Sequence, residues 1–214
     1  MSRALRKTTS LAVAIAATSL AAHAQSVRPL SLGFALGSSI PTGALSNRVH
    51  NGYAVDGNAL YRLGDTPLGI RADIAYTGYG LTQSYIGQFQ GADQGHANVV
   101  SGTLDFTLNT PRVLRLQPYL IGGGGLYRRH IAVDRTIGAQ FVSIYDPYFG
   151  FYDDIYTAQQ TIHSNTQTKF GLNGGAGLLI PAAYINVFIE AKYNSAFTHS
   201  HKTGFVPITV GVEW

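Results

Sequence analysis

Along most of the chain apolar and polar residues alternate one for one, the period at which successive β-strand side chains change face. The last ten residues show this most plainly. Val206, Ile208, Val210, Val212 and Trp214 share one face, and Phe205, Pro207, Thr209, Gly211 and Glu213 share the other. The same period recurs at 30–40, 52–63, 68–78, 96–108, 117–127, 168–180 and 185–193, so the pattern predicts eight strands. In the third, Leu68, Ile70, Ala72, Ile74 and Tyr76 oppose Gly69, Arg71, Asp73 and Thr77; in the seventh, Ile185, Val187, Ile189, Ala191 and Tyr193 oppose Asn186, Phe188, Glu190 and Lys192. Glycines 122–125 erase the alternation of the fifth strand and leave its facing open. No segment after residue 25 carries a capped helical period. The class is all-β, and an even strand number lets the sheet close on itself and lose its edges.

Alternation does not say which face is inside. A soluble ligand-binding barrel turns its apolar face inward, and a membrane barrel turns it outward. Three features favour outward. Connections near 64–67, 109–114 and 181–184 are tight, whereas 41–51, 79–95, 128–167 and 195–203 are long, the asymmetry of short periplasmic turns and long external loops. Tyr53, Tyr61, Tyr76, Tyr193 and Trp214 stand at the ends of the apolar faces, where interfacial aromatics belong. The opposite face is made of small residues with charges of both signs: Asp56, Arg62, Arg71, Asp73, Asp105, Lys169, Glu190 and Lys192. An eight-stranded barrel has room inside only for side chains, and buried charges need partners. These residues are therefore expected to form a closed, ion-paired interior, with Arg62, Arg71, Asp73 and Asp105 as cross-strand partners for Glu190 and Lys192. The expected architecture is an eight-stranded antiparallel up-and-down transmembrane β-barrel.

Composition sharpens this. Arg3, Arg6 and Lys7, an apolar stretch at 11–22 and Ala22-His23-Ala24 read as a secretory signal over residues 1–24, with the barrel domain at 25–214. The apolar stretch is too short for a span, which takes about 20 residues. The formal charge of +4 falls to +1 without the three signal cations, so the basic character gives no reason to expect a nucleic-acid partner. There is no cysteine, which excludes disulfides, a catalytic thiol and zinc–thiolate sites.

The segments Pro118-Tyr-Leu-Ile-Gly-Gly-Gly-Gly, Phe170-Gly-Leu-Asn-Gly-Gly-Ala-Gly177, Val187-Phe-Ile-Glu-Ala-Lys-Tyr193 and Val206-Pro-Ile-Thr-Val-Gly-Val-Glu-Trp214 resemble the OmpA/OmpX-type outer-membrane β-barrel domain family. The resemblance spans nearly the whole chain after residue 24 and is firmest over 117–127 and 168–214. The family usually ends in Phe, where this chain has Trp214. What the resemblance implies is a monomeric barrel among outer-membrane lipids and a last strand read by the barrel-assembly machinery through Phe205, Ile208, Val210, Val212 and Trp214. Function does not follow from such a fold.

Candidate chemistry is sparse. Glycines 122–125 lack the Gly-Lys-Ser/Thr of a phosphate loop, so no nucleotide cofactor is expected; in a small barrel glycine relieves crowding. His50, His96, His130, His163, His199 and His201 fall in the long connections. His199 and His201 have a spacing able to share a metal, but solvated loop histidines are the common case, and no metal is assigned. His163-Ser164 and His199-Ser200 bring to mind lipid A deacylase barrels. Those carry His-x-Ser on one strand, whereas adjacent residues point oppositely, so no catalytic residue is assigned. The stretch 128–167 is the strongest functional candidate, since it far exceeds what a hairpin needs. Within it Tyr145, Tyr148, Phe149, Phe151, Tyr152 and Tyr156 crowd together with Asp146, Asp153 and Asp154, and aromatics are enriched at binding hot spots. Those rings are equally compatible with a β-hairpin extending strands five and six above the membrane. The expectation is a structural or surface-interaction protein that contacts an unidentified external partner through this segment. The alternatives are a lipid-modifying enzyme, a small pore and a soluble periplasmic barrel.

Overall fold

The computed structural model describes residues 29–214 apart from 65, 112–115, 147, 149, 183 and 198–202, with the backbone alone of 139–146 and 150–159. The signal assigned to 1–24 lies outside the described residues. Eight strands, β1 (Leu30–Gly43), β2 (Gly52–Arg62), β3 (Leu68–Gly80), β4 (Gln94–Asn109), β5 (Gln117–Asp146), β6 (Gly150–Pro181), β7 (Asn186–Ala196) and β8 (Thr203–Glu213), form one closed barrel. Each pairs antiparallel with its sequence neighbours. β1 and β8 close the seam from Gly33 opposite Glu213 to Gly43 opposite Thr203. Trp214 finishes it by exchanging backbone hydrogen bonds with Leu32 at 3.0 and 2.9 Å.

The apolar face is outside. Ile74, Leu104 and Phe106 are 73%, 65% and 68% exposed, whereas Asp73 and Asp105 on the alternate positions are buried. Water would penalise a continuous belt of this kind, and a bilayer would not. Tyr53 and Tyr76 pack together at its upper rim, with ring centroids 6.0 Å apart, and Tyr61 and Trp214 stand exposed at its lower rim. This belt and the closed all-antiparallel sheet exclude the soluble alternative, whose apolar face would be internal. No described helix is long and apolar enough to cross a membrane; the crossing elements are strands.

All eight expected strands are present, and the chief difference is length. β5 and β6 run on beyond the barrel: 128–134 still pairs with β4, and past it the two strands continue as a two-stranded ribbon to Asp146 and from Gly150. Two register shifts, between Val133 and Asp134 and between Thr136 and Gly138, add twist as it leaves the barrel. One helical turn, α1 (Gln83–Ile86), lies in the β3–β4 connection and tucks Ile86 into an apolar cap with Leu45, Val49, Leu81, Val99 and Val133. The connections after β1 and β3 thus fold over the outer mouth rather than standing free.

Candidate functional site

The lumen-facing residues of β7 form a ladder that sets out the interior. Rising from the lower end they are Phe188, Glu190, Lys192, Asn194 and Ala196, all buried. Phe188 packs with Ala35, Tyr119, Ile121 and Leu179 as an apolar floor. Above it, the Arg71 guanidinium forms two parallel bonds to Glu190, 2.7 Å to each oxygen, a geometry that satisfies both carboxylate oxygens at once. Arg71 also reaches Asp73 at 2.8 Å, and Lys192 bridges Asp73 at 2.5 Å and Asp105 at 3.4 Å. Tyr119 donates to Glu190 at 2.7 Å, and Asn173 donates to Asp105 at 2.8 Å. Tyr127 donates to Asn194 at 3.0 Å and closes the layer from above, its ring edge-on to Phe205.

Glycine makes room for these groups. A Cβ on Gly177 would lie 2.3 Å from the Tyr119 ring, so the phenol crosses the sheet only because that position is bare. A Cβ on Gly123 would meet the Leu104 carbonyl at 2.1 Å and the Asp105 carboxylate at 2.4 Å. Within the glycine run, Gly123 thus leaves the interior space that the Asp105 carboxylate occupies.

Six of the eight charges assigned to the interior are buried there: Asp56, Arg71, Asp73, Asp105, Glu190 and Lys192. Arg71, Asp73 and Asp105 partner Glu190 and Lys192 as expected, while Asp56 accepts from Asn58 at 3.1 Å. Arg62 sits apart, at the lower mouth, paired with Glu213 and donating to Ser31 at 2.8 Å. Lys169 faces the upper mouth, half-buried and outside the network. Sequence reasoning missed Glu213, Tyr119 and Tyr127 as interior partners. Glu213 was legible, being in phase with Thr209; Tyr119 and Tyr127 flank the glycines that hid the phase of β5. Phe205, grouped with the assembly signal, turns inward onto Tyr127, so the lipid-facing part of that group is Ile208, Val210, Val212 and Trp214.

The middle of the lumen is filled. The cavity among Asp56, Asp73, Glu190, Lys192 and Phe205 measures about 20 Å³, room for a single water. A layer packed this closely gives the barrel rigidity.

Outside, the ribbon is braced where it leaves the barrel. Arg135 donates to the carbonyls of Gly91 at 2.9 Å and Gln90 at 2.5 Å, and Asp93 accepts the Thr136 N–H at 2.9 Å. The bonds from Thr136 hold the Asp93 carboxyl below the ordinary carboxylate range. The aromatics assigned to this segment fall on its outer half. Tyr145 lies opposite Phe151, Tyr152 opposite Ile144 and Tyr156 opposite Gln140 in the backbone register; Tyr148 at the tip is 91% exposed, and Phe149 lies outside the described residues. The His163 ring stacks on Phe89 at 5.1 Å, which occupies one face of the imidazole; His199, Ser200 and His201 lie outside the described residues. Among the described residues no group of three His, Asp or Glu side chains is placed to hold a metal ion.

No family model matches the chain, and no curated protein matches it by sequence. Solved structures do. Neisserial surface protein A is 16% identical, with 86% of this chain and 96% of that one covered at a TM-score of 0.53. A major outer membrane protein from Thermus thermophilus is 12% identical, with 86% and 98% covered, also at 0.53. At such identity the likeness speaks of fold. With the outward apolar belt and the sealed polar lumen, it defines the class: an integral β-barrel of the outer membrane. Within that class the architecture is the small eight-stranded barrel that the sequence resembles.

The bidentate pair supplies a sharp expectation for stability. Glu190→Ala leaves the Arg71 charge short of its main partner and should destabilise the barrel by about 3–5 kcal/mol. Replacing both members, as Arg71→Met with Glu190→Leu, should cost less than the single change. Urea unfolding in lipid vesicles measures both, and a double variant weaker than the single would refute the pairing.

Proposed function

We propose that this outer-membrane barrel is a surface-interaction protein whose contact element is the β5–β6 ribbon. One observation carries the reading. β4 pairs with β5 only as far as Asp134, and β7 pairs with β6 only from Gly171, so beyond these points the ribbon has no flanking strand among the described residues. From Arg135 to Asp146 the open-edged part extends about 36 Å along the strand at about 3.3 Å per residue. Open backbone edges are the template for strand addition by an extended partner segment, and exposed aromatics supply contact area at low entropic cost. Tyr148 at the tip and the sequence positions Tyr145, Phe151, Tyr152 and Tyr156 are the proposed contacts, with Phe149 beside them.

The filled lumen favours this reading over a pore, since it leaves the outer surface as the place where function can reside. The test is excision. Removing 136–159 and joining Arg135 to Gln160 through Asn-Gly leaves every barrel pair intact, because those two residues already face each other. The shortened protein should keep heat-modifiable gel mobility and lose attachment of expressing cells to immobilised extracellular proteins. Undiminished attachment would end the proposal.

For assembly, the in-phase residues Ile208, Val210, Val212 and Trp214 are the proposed signal for the barrel-assembly machinery. Trp214→Ala keeps the backbone bonds to Leu32 and removes only the ring. Its folded fraction in cells should fall several-fold while unassisted refolding in detergent stays normal. Equal losses in both would make the ring merely structural.

A further inference from the structure

The outward wall of the barrel carries no charge until its upper rim. There, among the described residues, Arg128 is the one Arg, Lys, Asp or Glu at an outward position of the strands within the barrel. It is exposed, two residues above Leu126 of the belt, and makes no ion pair, hydrogen bond or ring contact with a described residue. The register sets its neighbours. Across β3, β4 and β5 one rung reads Tyr76, Val100, Arg128, and the rung above reads Gly78, Asn98, His130, with Tyr53 of β2 opposite Gly78. The next rung places Gly80 beside His96. The His96 and His130 ring centroids are 6.3 Å apart. Thr166 holds His130 Nδ1 at 2.8 Å, and Asp134 lies 3.5 Å from His96 Nδ1, so both rings keep Nε2 for a ligand.

Beside these groups the wall is hollow. A groove of about 590 Å³ runs over Gly52, Gly78 and Gly80, walled by Tyr53, Tyr76 and His96, with Asn51 at its edge. Its floor is bare. A Cβ on Gly80 would meet nothing within 4 Å, while one on Gly78 would come within 2.6 Å of the Tyr53 ring that lies across it. One rung below Arg128, Gly102 stands between Ile74 and Leu126, and a Cβ there would also meet nothing within 4 Å. A recess in the apolar belt thus lies beneath the groove. Tyr76 and Arg128 are two strands apart, about 10 Å at about 4.8 Å per strand, a gap the long arginine stem can span.

We propose that this groove, with Arg128 and His130 beside it, docks the phosphorylated sugar headgroup of an outer-leaflet glycolipid. Chemistry names the class. Tyrosine faces beside a bare floor suit the C–H face of a sugar ring, and Asn51 and His96 offer polar edges to its hydroxyls. A guanidinium without a protein partner fits a phosphate, which it holds through two parallel bonds. Position names the source. The site lies on the lipid-facing wall directly above the belt, so a headgroup seats there while an acyl chain enters the recess at Gly102. An arginine that served only to anchor the barrel at the interface would need no hollow next to it. The site is independent of the ribbon and its partner.

The full folded barrel in zwitterionic micelles is titrated with a bis-phosphorylated glycolipid of the lipid A type. Retained lipid is counted by native mass spectrometry, and the thermal midpoint is followed alongside. The wild type should retain one glycolipid saturably and show a rising midpoint. Arg128→Gln should weaken retention by about tenfold or more, as expected for loss of a charge-assisted bond. Gly80→Val, whose added Cβ meets no protein atom, should fill the groove and weaken retention several-fold. Lys169→Gln, facing the lumen, should bind as the wild type does. If Gly80→Val fails to fold, Arg128→Gln decides, because its guanidinium holds no described contact. Absence of saturable retention by the wild type overturns the site. Undiminished retention in Arg128→Gln, or an equal loss in Lys169→Gln, overturns the location. Equal retention of phosphatidylglycerol, which carries a phosphate but no sugar, overturns the glycolipid as occupant.

Discussion

The fold depends on the Arg71 guanidinium finding Glu190 and Asp73 at once. A small barrel in a bilayer inverts the usual arrangement, since lipid takes the apolar side chains and the polar ones must share a lumen only as wide as themselves. There a charge without a partner is costly, and water has almost no room to help. Arg71, Glu190, Asp73, Lys192 and Asp105 meet this by linking β3, β4 and β7 across the barrel. Because β7 lies apart from the adjacent pair β3 and β4 in the sheet order, the links brace the cylinder in directions that backbone pairing leaves soft. The Tyr119 and Asn173 donors complete the set; the bare position at Gly177 admits the Tyr119 ring and that at Gly123 the Asp105 carboxylate.

Sealing the middle has consequences at both ends. The apolar cap built from Leu45, Val49, Leu81 and Ile86 turns the outer connections into a lid, and the ribbon projects beyond it. The brace of Arg135 and Asp93 at the ribbon's base ties that projection to the barrel. A stiff support below and an open-edged projection above suit the proposed division between membrane anchoring and recognition.

Much of this was legible in the residues. Period-two alternation located all eight strands because one face meets lipid and the other meets charge, a contrast that few polar substitutions blur. Loop asymmetry gave the sign of the faces. Arg71, Asp73, Asp105, Glu190 and Lys192 could be placed together since each needed a partner in a narrow space. Three things resisted. The extent of the ribbon stayed open between a long loop and a hairpin extending strands five and six, because outside the membrane neither face is selected for apolarity and 128–167 loses the alternation while keeping the hydrogen-bonded ladder. Tyr119 and Tyr127 were hidden by glycines that have no side chain to mark a face. The pairing of Arg62 with Glu213 joins β2 to β8 through a closure that sequence order does not display.

The central claim, that paired charges close the lumen, is tested most directly by reconstituting the protein in planar bilayers. The account predicts no large, stable conductance from the wild-type barrel. A steady open channel of large conductance in the wild type would contradict it.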